Sequence, residues 1–286
     1  MPRFFGSKAK PANSFAGHTS PSATDGQRVA NGPRAAFFDV DNTLMQGASI
    51  FHLARGLHKR KYFTLRQISK MAWRQFYFRA AGVEDPEHVE EAKASALSFI
   101  AGHKVTDLKE TGKEIYDEYM AEKIWPGTKD IAQDHIAAGV EVWIVTAAPV
   151  EIAETISERL GLTGALGTVS EHVDGVYTGK LVGDLLHKES KANAVKKLAE
   201  QKGFDLSLCY AYSDSYNDLP MLSIVGNPTA INPDSKLREH ANANGWPIID
   251  YRVGRKIAKI SANTFFTAFT VWVVSWFASR AWRKIK

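Results

Sequence analysis

The eight residues Phe37-Phe38-Asp39-Val40-Asp41-Asn42-Thr43-Leu44 constrain this chain more than any other stretch. An apolar run that reads as a buried strand ends there in two carboxylates, two residues apart. Side chains on a strand alternate faces, so Asp39 and Asp41 are expected to point the same way. Two like charges at one strand edge repel, and a fold keeps them where a cation or a shared proton compensates. The competing reading of the same letters is a strand-to-helix turn in which Asp41 or Asn42 caps the helix that follows.

Three later segments narrow the choice. Val142-Trp143-Ile144-Val145-Thr146-Ala147-Ala148-Pro149 is a second apolar strand ending in a hydroxyl. His187-Lys188-Glu189-Ser190-Lys191-Ala192 carries a lysine at the start of a helical pattern. Cys209-Tyr210-Ala211-Tyr212-Ser213-Asp214-Ser215-Tyr216-Asn217-Asp218 is a third strand that runs into two more carboxylates. Strand-like runs at 35–40, 141–146 and 208–213 alternate with helical patterns at 127–138, 150–160 and 191–202, the last closed by Gly203. That alternation is expected of a parallel sheet covered on both faces. An Asp174-Gly175 turn separates two short β runs, Ala230-Ile231 ends a fourth core strand, and Ile248-Ile249 makes a short edge strand. Residues 41–140 are far too many for an ordinary crossover, and helical patterns at 63–81, 86–101 and 106–121 fill the gap.

In this order the four segments resemble motifs one to four of the haloacid dehalogenase (HAD) superfamily, nearest its phosphoserine-phosphatase-like subfamily IB. The resemblance covers nearly all of Ala35 to Asp250. It implies an α/β fold, a Rossmann-like parallel sheet formed by residues 35–48 and 124–250, with an inserted α-helical cap at 49–123 that closes over the site. A closing cap excludes water and selects the substrate. Phosphoryl transfer through a carboxylate needs an attacking group, an acid for the leaving oxygen, and cations for the equatorial oxygens. The resemblance assigns these roles residue by residue. Asp39 is the nucleophile that becomes an aspartyl phosphate, and Asp41 is the general acid and later the base. Thr146 and Lys191 bind the phosphoryl group. Asp39, the Asp41 backbone carbonyl and Asp214 hold Mg²⁺, which favours few carboxylates plus phosphate and water. Asn217 and Asp218 support that shell.

Each assignment has a plainer competitor. Thr146 alone would read as a helix N-cap, and Asn217 as a turn residue. Lys191 could be a solvated surface lysine, with Lys188 the rival candidate for the phosphate. However, a cation near a helix start is disfavoured by about 0.3–1 kcal/mol, and a neighbouring phosphate would reverse that. The substrate stays open. Ala48 stands where phosphoserine phosphatases usually place a glutamate for the substrate amine, and Ala147-Ala148-Pro149 stands where they usually have glycines.

Charge divides the 286 residues into a body and two ends. Residues 1–34 hold five basic side chains against one acidic, and residues 251–286 hold eight basic and none acidic. Since the whole chain is +5, residues 35–250 carry −7. A basic balance confined to the ends argues against a nucleic-acid-binding core and for an anionic surface meeting the termini. The single cysteine, Cys209, rules out an internal disulfide, fits a reducing compartment, and reads as an apolar filler of its strand. Residues 1–34, rich in Ser, Ala, Gly, Pro and Asn and without a signal-length apolar run, read as disordered.

The tail carries the remaining expectation. Residues 260–279 are uncharged and aromatic-rich, flanked by basic side chains at both ends. As a helix they would extend about 30 Å, the thickness of a bilayer's hydrocarbon core. A spanning anchor, an interfacial helix and a helix packed on protein are all compatible with this run, whose basic flanks give no orientation. The catalytic body is expected on the cytoplasmic side of the membrane because the N-terminal segment carries no export signal. From Arg55 to Arg79 eight basic residues and no acidic one alternate with aromatics, which suits either a solvated helix face or anionic lipid headgroups. The expected activity is therefore a Mg²⁺-dependent phosphomonoesterase held at an anionic membrane surface. Its substrate would be a small phosphorylated molecule, or a lipid phosphate of the phosphatidylglycerophosphate or lysophosphatidate type. The alternative of another class is an inactive phosphate-binding membrane adaptor.

Overall fold

A computed structural model of the chain describes residues 32–62 and 100–252. The N-terminal segment up to residue 31, the helical pattern at 63–81, nearly all of that at 86–101 and the apolar run at 260–279 lie outside the described residues.

The strands are β1 (Ala35–Phe38), β2 (Glu141–Pro149), β3 (Gly164–Thr168), β4 (Ser170–Val173), β5 (Val176–Leu181), β6 (Tyr210–Ser213), β7 (Asn227–Ile231) and β8 (Ile248–Ile249). Six of them form one sheet in the order β3-β2-β1-β6-β7-β8, every neighbouring pair parallel. β4 and β5 form a separate antiparallel pair joined by Asp174-Gly175, both at positive φ, as a tight hairpin turn requires. The helices are α1 (Ser49–Lys59), α2 (Val105–Ile115), α3 (Pro126–Ala137), α4 (Val150–Leu160), α5 (Glu189–Lys202), α6 (Leu219–Ser223) and α7 (Ser235–Ala243).

Every residue of β1 is buried because both faces of the sheet are covered. Ala35 and Phe37 join a core with Val145, Val195, Leu198 and Met221, while Ala36 and Phe38 join another with Ala132, Val142, Tyr212 and Ile231. Strand alternation therefore divides one short apolar run between two cores. The Cys209 side chain lies fully buried, its sulfur accepting the Ala35 N–H at 3.3 Å, which is the filler role expected of it.

Strand order decides where a ligand goes. From β1 the chain steps outward through β2 and β3 on one side, then through β6, β7 and β8 on the other. The reversal opens a crevice at the carboxyl ends of β1 and its neighbours, where open α/β sheets bind ligands. Asp39 and Asp214 directly follow β1 and β6, while β2 runs on past Thr146 to Pro149, with its pairing to β3 interrupted between Val145 and Pro149.

Three local expectations change. Strand alternation does not extend to Asp41, because the ladder stops one residue after β1. The Asp39 N–H still donates to Tyr212 O at 2.9 Å, but those of Leu44 and Met45 both turn back to Val40 O, at 3.0 and 2.9 Å. Asp41 is thus placed by a turn, with Asn42 at φ 58°, and not by the pleat. Next, the pattern read as one helix over 106–121 is α-helical only to Ile115. It widens to a π-helix over Tyr116–Met120, then tightens to a 3₁₀ turn over Ala121–Lys123. Finally, α1 and β3 were not anticipated. Histidines and a glycine interrupt the apolar spacing of α1, and β3 reads Gly-Ala-Leu-Gly-Thr, poor in β-formers.

Candidate active site

The carboxylate after β1 is held from two sides. Asp39 accepts a hydrogen bond from Thr43 Oγ1 on Oδ2 at 3.1 Å and one from Lys191 Nζ on Oδ1 at 2.6 Å. Lys191 reaches it from the first turn of α5, and the same ammonium donates to Asp218 Oδ2 at 2.8 Å. Ser213, the last residue of β6, donates to that oxygen too, also at 2.8 Å. All of these side chains are buried, with Lys191 and Asp218 each 3% exposed. Lys188, the rival candidate, is exposed and forms the strained N-cap of α5 at φ 51°.

Asp41 lies at the start of α1. Its Oδ1 accepts the Ser49 N–H at 2.8 Å, so a carboxylate satisfies one of the unpaired donors of that helix and meets the positive end of its dipole. Thr146 is buried in the C-terminal half of β2, where its Oγ1 accepts the Ala148 N–H at 3.2 Å. A hydroxyl that accepts through oxygen still has its proton to donate. Asn217 is exposed, and its backbone N–H donates to Ser215 Oγ at 3.2 Å in the turn after β6.

Electrostatics follow from four carboxylates around one ammonium. Burial acts to lower the Lys191 pKa, but Asp39 and Asp218 outweigh it and the ammonium is held above its ordinary range. Burial pushes the Asp39 carboxyl upward. Lys191 opposes this, and the like charges of Asp218 and Asp41 reinforce it. Asp214 is pushed up to about 8, first by burial and then by Asp39 and Asp218, with the Asn42 amide pulling the other way. Among the described residues Asp214 forms no ion pair with Lys191, which is committed to Asp39 and Asp218.

This imbalance is the test of whether the site suits a divalent cation. Asp214 is pushed up by burial, Asp39 and Asp218 while Lys191 is committed to the other two, and a cation between Asp39 and Asp214 would offset that. No group of three or more His, Cys, Asp or Glu side chains at metal-binding spacing occurs among the described residues. The donor set that the resemblance implies, Asp39 and Asp214 with the Asp41 carbonyl, is two carboxylates plus backbone oxygen. That is sparse for Ca²⁺ or Zn²⁺, but suits Mg²⁺, which leaves most positions to water and phosphate.

Other supports were not legible in sequence. Thr43 and Ser213 orient Asp39 and Asp218, and Thr128, on the first turn of α3, donates to Thr43 O at 2.9 Å. Asp234 N-caps α7 through Leu237 N–H and also accepts the Tyr216 N–H, each at 2.8 Å. Its Asp-Ser-Lys-Leu start is a visible capping signal.

The site and fold define a class. The model of the haloacid dehalogenase-like hydrolases matches residues 36–223, and the chain belongs to that family. Over 226 residues it is 54% identical to phosphoserine phosphatase SerB1 of Mycobacterium tuberculosis, an alignment covering 79% of this chain and 73% of the relative. Histidinol-phosphatase of Neisseria meningitidis is 29% identical over 221 residues, covering 76% and 98% respectively. Among solved structures, a Bordetella pertussis protein of unknown function superposes with a TM-score of 0.67 at 29% identity, covering 77% of this chain and 99% of that one. Apo phosphoserine phosphatase, at 21% identity and a TM-score of 0.54, covers 79% and 98% and shares the fold. The chain is a HAD-type phosphatase, phosphoserine-phosphatase-like in its class.

Proposed function

We propose that the protein hydrolyses small alkyl phosphomonoesters of the phosphoserine type, with Mg²⁺ as cofactor and Asp39 as nucleophile. The observation that carries this reading is the buried Lys191 clamp on Asp39 and Asp218, set at the strand-order reversal beside Asp214, which burial and its acidic neighbours push up to about 8. Support for the substrate class comes from the 54% identity to a phosphoserine phosphatase.

Asp39 attacks phosphorus in line, forming the Oδ–P bond while the ester P–O bond breaks. Asp41, poised at the start of α1, gives its proton to the departing alkoxide. It then takes a proton from the water that cleaves the aspartyl phosphate, returning Asp39 and releasing phosphate. Thr146 Oγ1 donates to a phosphoryl oxygen, and Lys191 turns part of its charge from the carboxylates to the same group. Asp39, Asp214 and the Asp41 carbonyl would hold Mg²⁺, which supplies charge neutralisation for the phosphoryl oxygens when bound. Asp218 and Ser213 keep Lys191 directed at the site, and the 49–123 insertion serves as the closing cap.

The basic, aromatic tail supports attachment to an anionic membrane surface on the cytoplasmic side, with residues 260–279 as the contact. Among the described residues no helix is long and apolar enough to cross a membrane. Such attachment, together with Ala48 in place of an amine-binding glutamate, favours a lipid phosphate as the second substrate reading.

The deciding experiment is phosphate release with Mg²⁺ from phosphoserine, phosphatidylglycerophosphate, lysophosphatidate and an aryl phosphate, with Asp39→Asn as the blank. Release from phosphoserine that vanishes in the variant supports the first reading, and preference for a lipid supports the second. Equal behaviour of wild type and variant on all four sinks both and leaves the adaptor. Deleting residues 253–286 should free the protein from sedimenting vesicles while sparing aryl phosphate hydrolysis.

A further inference from the structure

The polar segment after β7 touches both loops that frame the site, and the reaction described above does not use it. Asn232 is fully buried, sits at φ 50° and spends both ends of its amide. Its Nδ2 donates to the Asn42 carbonyl at 2.8 Å, and its Oδ1 accepts the Tyr251 N–H at 2.8 Å. Only one orientation of the amide satisfies a carbonyl and an N–H at once, so the contact is directional. Two residues on, the Asp234 N–H donates to Asp214 O at 2.7 Å.

Asn42 is the residue where the motif-one loop turns. It stands at φ 58°, its N–H donates to Gly47 O at 3.2 Å and its Oδ1 accepts the Gly47 N–H at 3.0 Å, closing the loop on itself. Its amide also lies against Asp214, which it stabilises as the anion. Left-handed backbone at a residue other than glycine persists where its surroundings impose it. The bond from Asn232, reaching across 190 positions of sequence, is such a constraint.

We propose that Asn232 is a positioning residue, which fixes the Asp39–Gly47 loop against the Asp214 loop by holding the Asn42 carbonyl. The inference rests on the Mg²⁺ phosphatase reading, since what it positions is the pair of loops that would share the cation. The plainer role for Asn232 is to satisfy the Tyr251 N–H at the root of the C-terminal segment, and the two roles predict different measurements.

The test uses the full chain with Asn232→Gly, Asn42→Gly and the double variant, because glycine keeps positive φ without strain. Mg²⁺ binding is read by calorimetry, kcat and KM on an aryl phosphate, and folding by thermal melting. Asn232→Gly should weaken Mg²⁺ binding about 10–100-fold, as loss of a partner behind a metal ligand does, and lower kcat similarly with KM nearly unchanged. Asn42→Gly keeps the backbone carbonyl that Asn232 holds and removes only the amide that meets Gly47 and Asp214, so Asn232→Gly should weaken Mg²⁺ binding in that background as well. A lowered melting temperature with wild-type Mg²⁺ affinity and kcat would overturn the inference, as would a double variant that binds Mg²⁺ as well as Asn42→Gly alone.

Should the glycine variant fail to fold, Asn232→Asp decides. It keeps an acceptor for the Tyr251 N–H, tolerates the backbone and replaces the donor to the Asn42 carbonyl with a carboxylate oxygen that cannot donate. Its added negative charge by itself would tighten Mg²⁺ binding, so weaker binding supports the inference and unchanged or tighter binding overturns it. A wild type that binds no Mg²⁺ and releases no phosphate sinks the function reading and this inference together. A competent wild type with unaffected Asn232 variants sinks the inference alone.

Discussion

Ion pairs occur in two regions of this molecule and do different work in each. At the carboxyl edge of the sheet, Lys191 joins Asp39 and Asp218 with side chains only 3–8% exposed. Between α4 and the helical stretch Val105–Met120, Lys109 pairs with Glu154 at 3.0 Å and Arg159 with Asp117 at 2.6 Å, with exposures of 43–55%. The donor and acceptor chemistry is the same and the distances are alike. In the buried set desolvation rivals the attraction, so the charges persist only as a mutually dependent group. In the exposed set water screens each pair, and the helices would pack without it. Short distance therefore does not mark function here. Burial together with a surplus of one sign does.

Removing the shared cation gives the largest effect on that comparison. Lys191→Met leaves Asp39 and Asp218 facing each other without compensation. Turnover should fall by about 10²–10³-fold or more, the scale for losing one group that stabilises transition-state charge. The urea midpoint should fall too, by an amount near the ~3–5 kcal/mol seen when one partner of a buried pair is removed. Adding Asp39→Asn should recover part of that stability while activity stays lost, because a neutral amide no longer needs the ammonium. If the double variant is less stable than Lys191→Met, the buried group is not a charge balance and the comparison fails.

Those same residues explain how much was legible beforehand. Asp39, Thr146 and Asp214 could be read because each follows a short apolar run, and a parallel sheet brings such run ends to one edge. Lys191 could be read because a cation at a helix start needs a reason. Asp41 was identified for the wrong geometric cause, since a turn and not the strand pleat places it. Ser213 was hidden inside a strand, where a small hydroxyl carries no pattern. Asn232 was invisible because its partner Asn42 lies 190 residues away, and strand order rather than sequence spacing joins them.

His135 sharpens the comparison by creating a charge where there is none at neutral pH. Its ring packs among Phe38, Tyr210 and Tyr212, with Nε2 2.7 Å from Tyr212 Oη. Burial lowers its pKa below the ordinary 6.5, against Asp134 and with a small contribution from Arg34. A folded pKa below the unfolded one means the unfolded chain takes up the proton first. The histidine therefore costs nothing above pH 6.5 and destabilises progressively as pH falls below it. The urea midpoint of wild type relative to His135→Gln should accordingly drop between pH 7.5 and 5.5. Asp39 and Asp214, which titrate in both proteins, cancel in that difference. A flat difference would mean that the ring takes up its proton without penalty.

The smallest effect belongs to the exposed set and is the sharpest check on the distinction. Lys109→Met deletes the bridge to Glu154 while keeping most of the aliphatic stem that lies along the helix. Hydrogen bonding to Glu154 raises the Lys109 pKa, the direction expected of a favourable pair, but both side chains are nearly half exposed and solvent screens most of that gain. The expected loss is no more than ~1 kcal/mol, shrinking further at high salt, with kcat and KM on an aryl phosphate unchanged. A larger effect on kcat than on stability would show that the α2–α4 contact governs how the insertion closes over the site. The two kinds of ion pair would then differ in burial while sharing a role in catalysis.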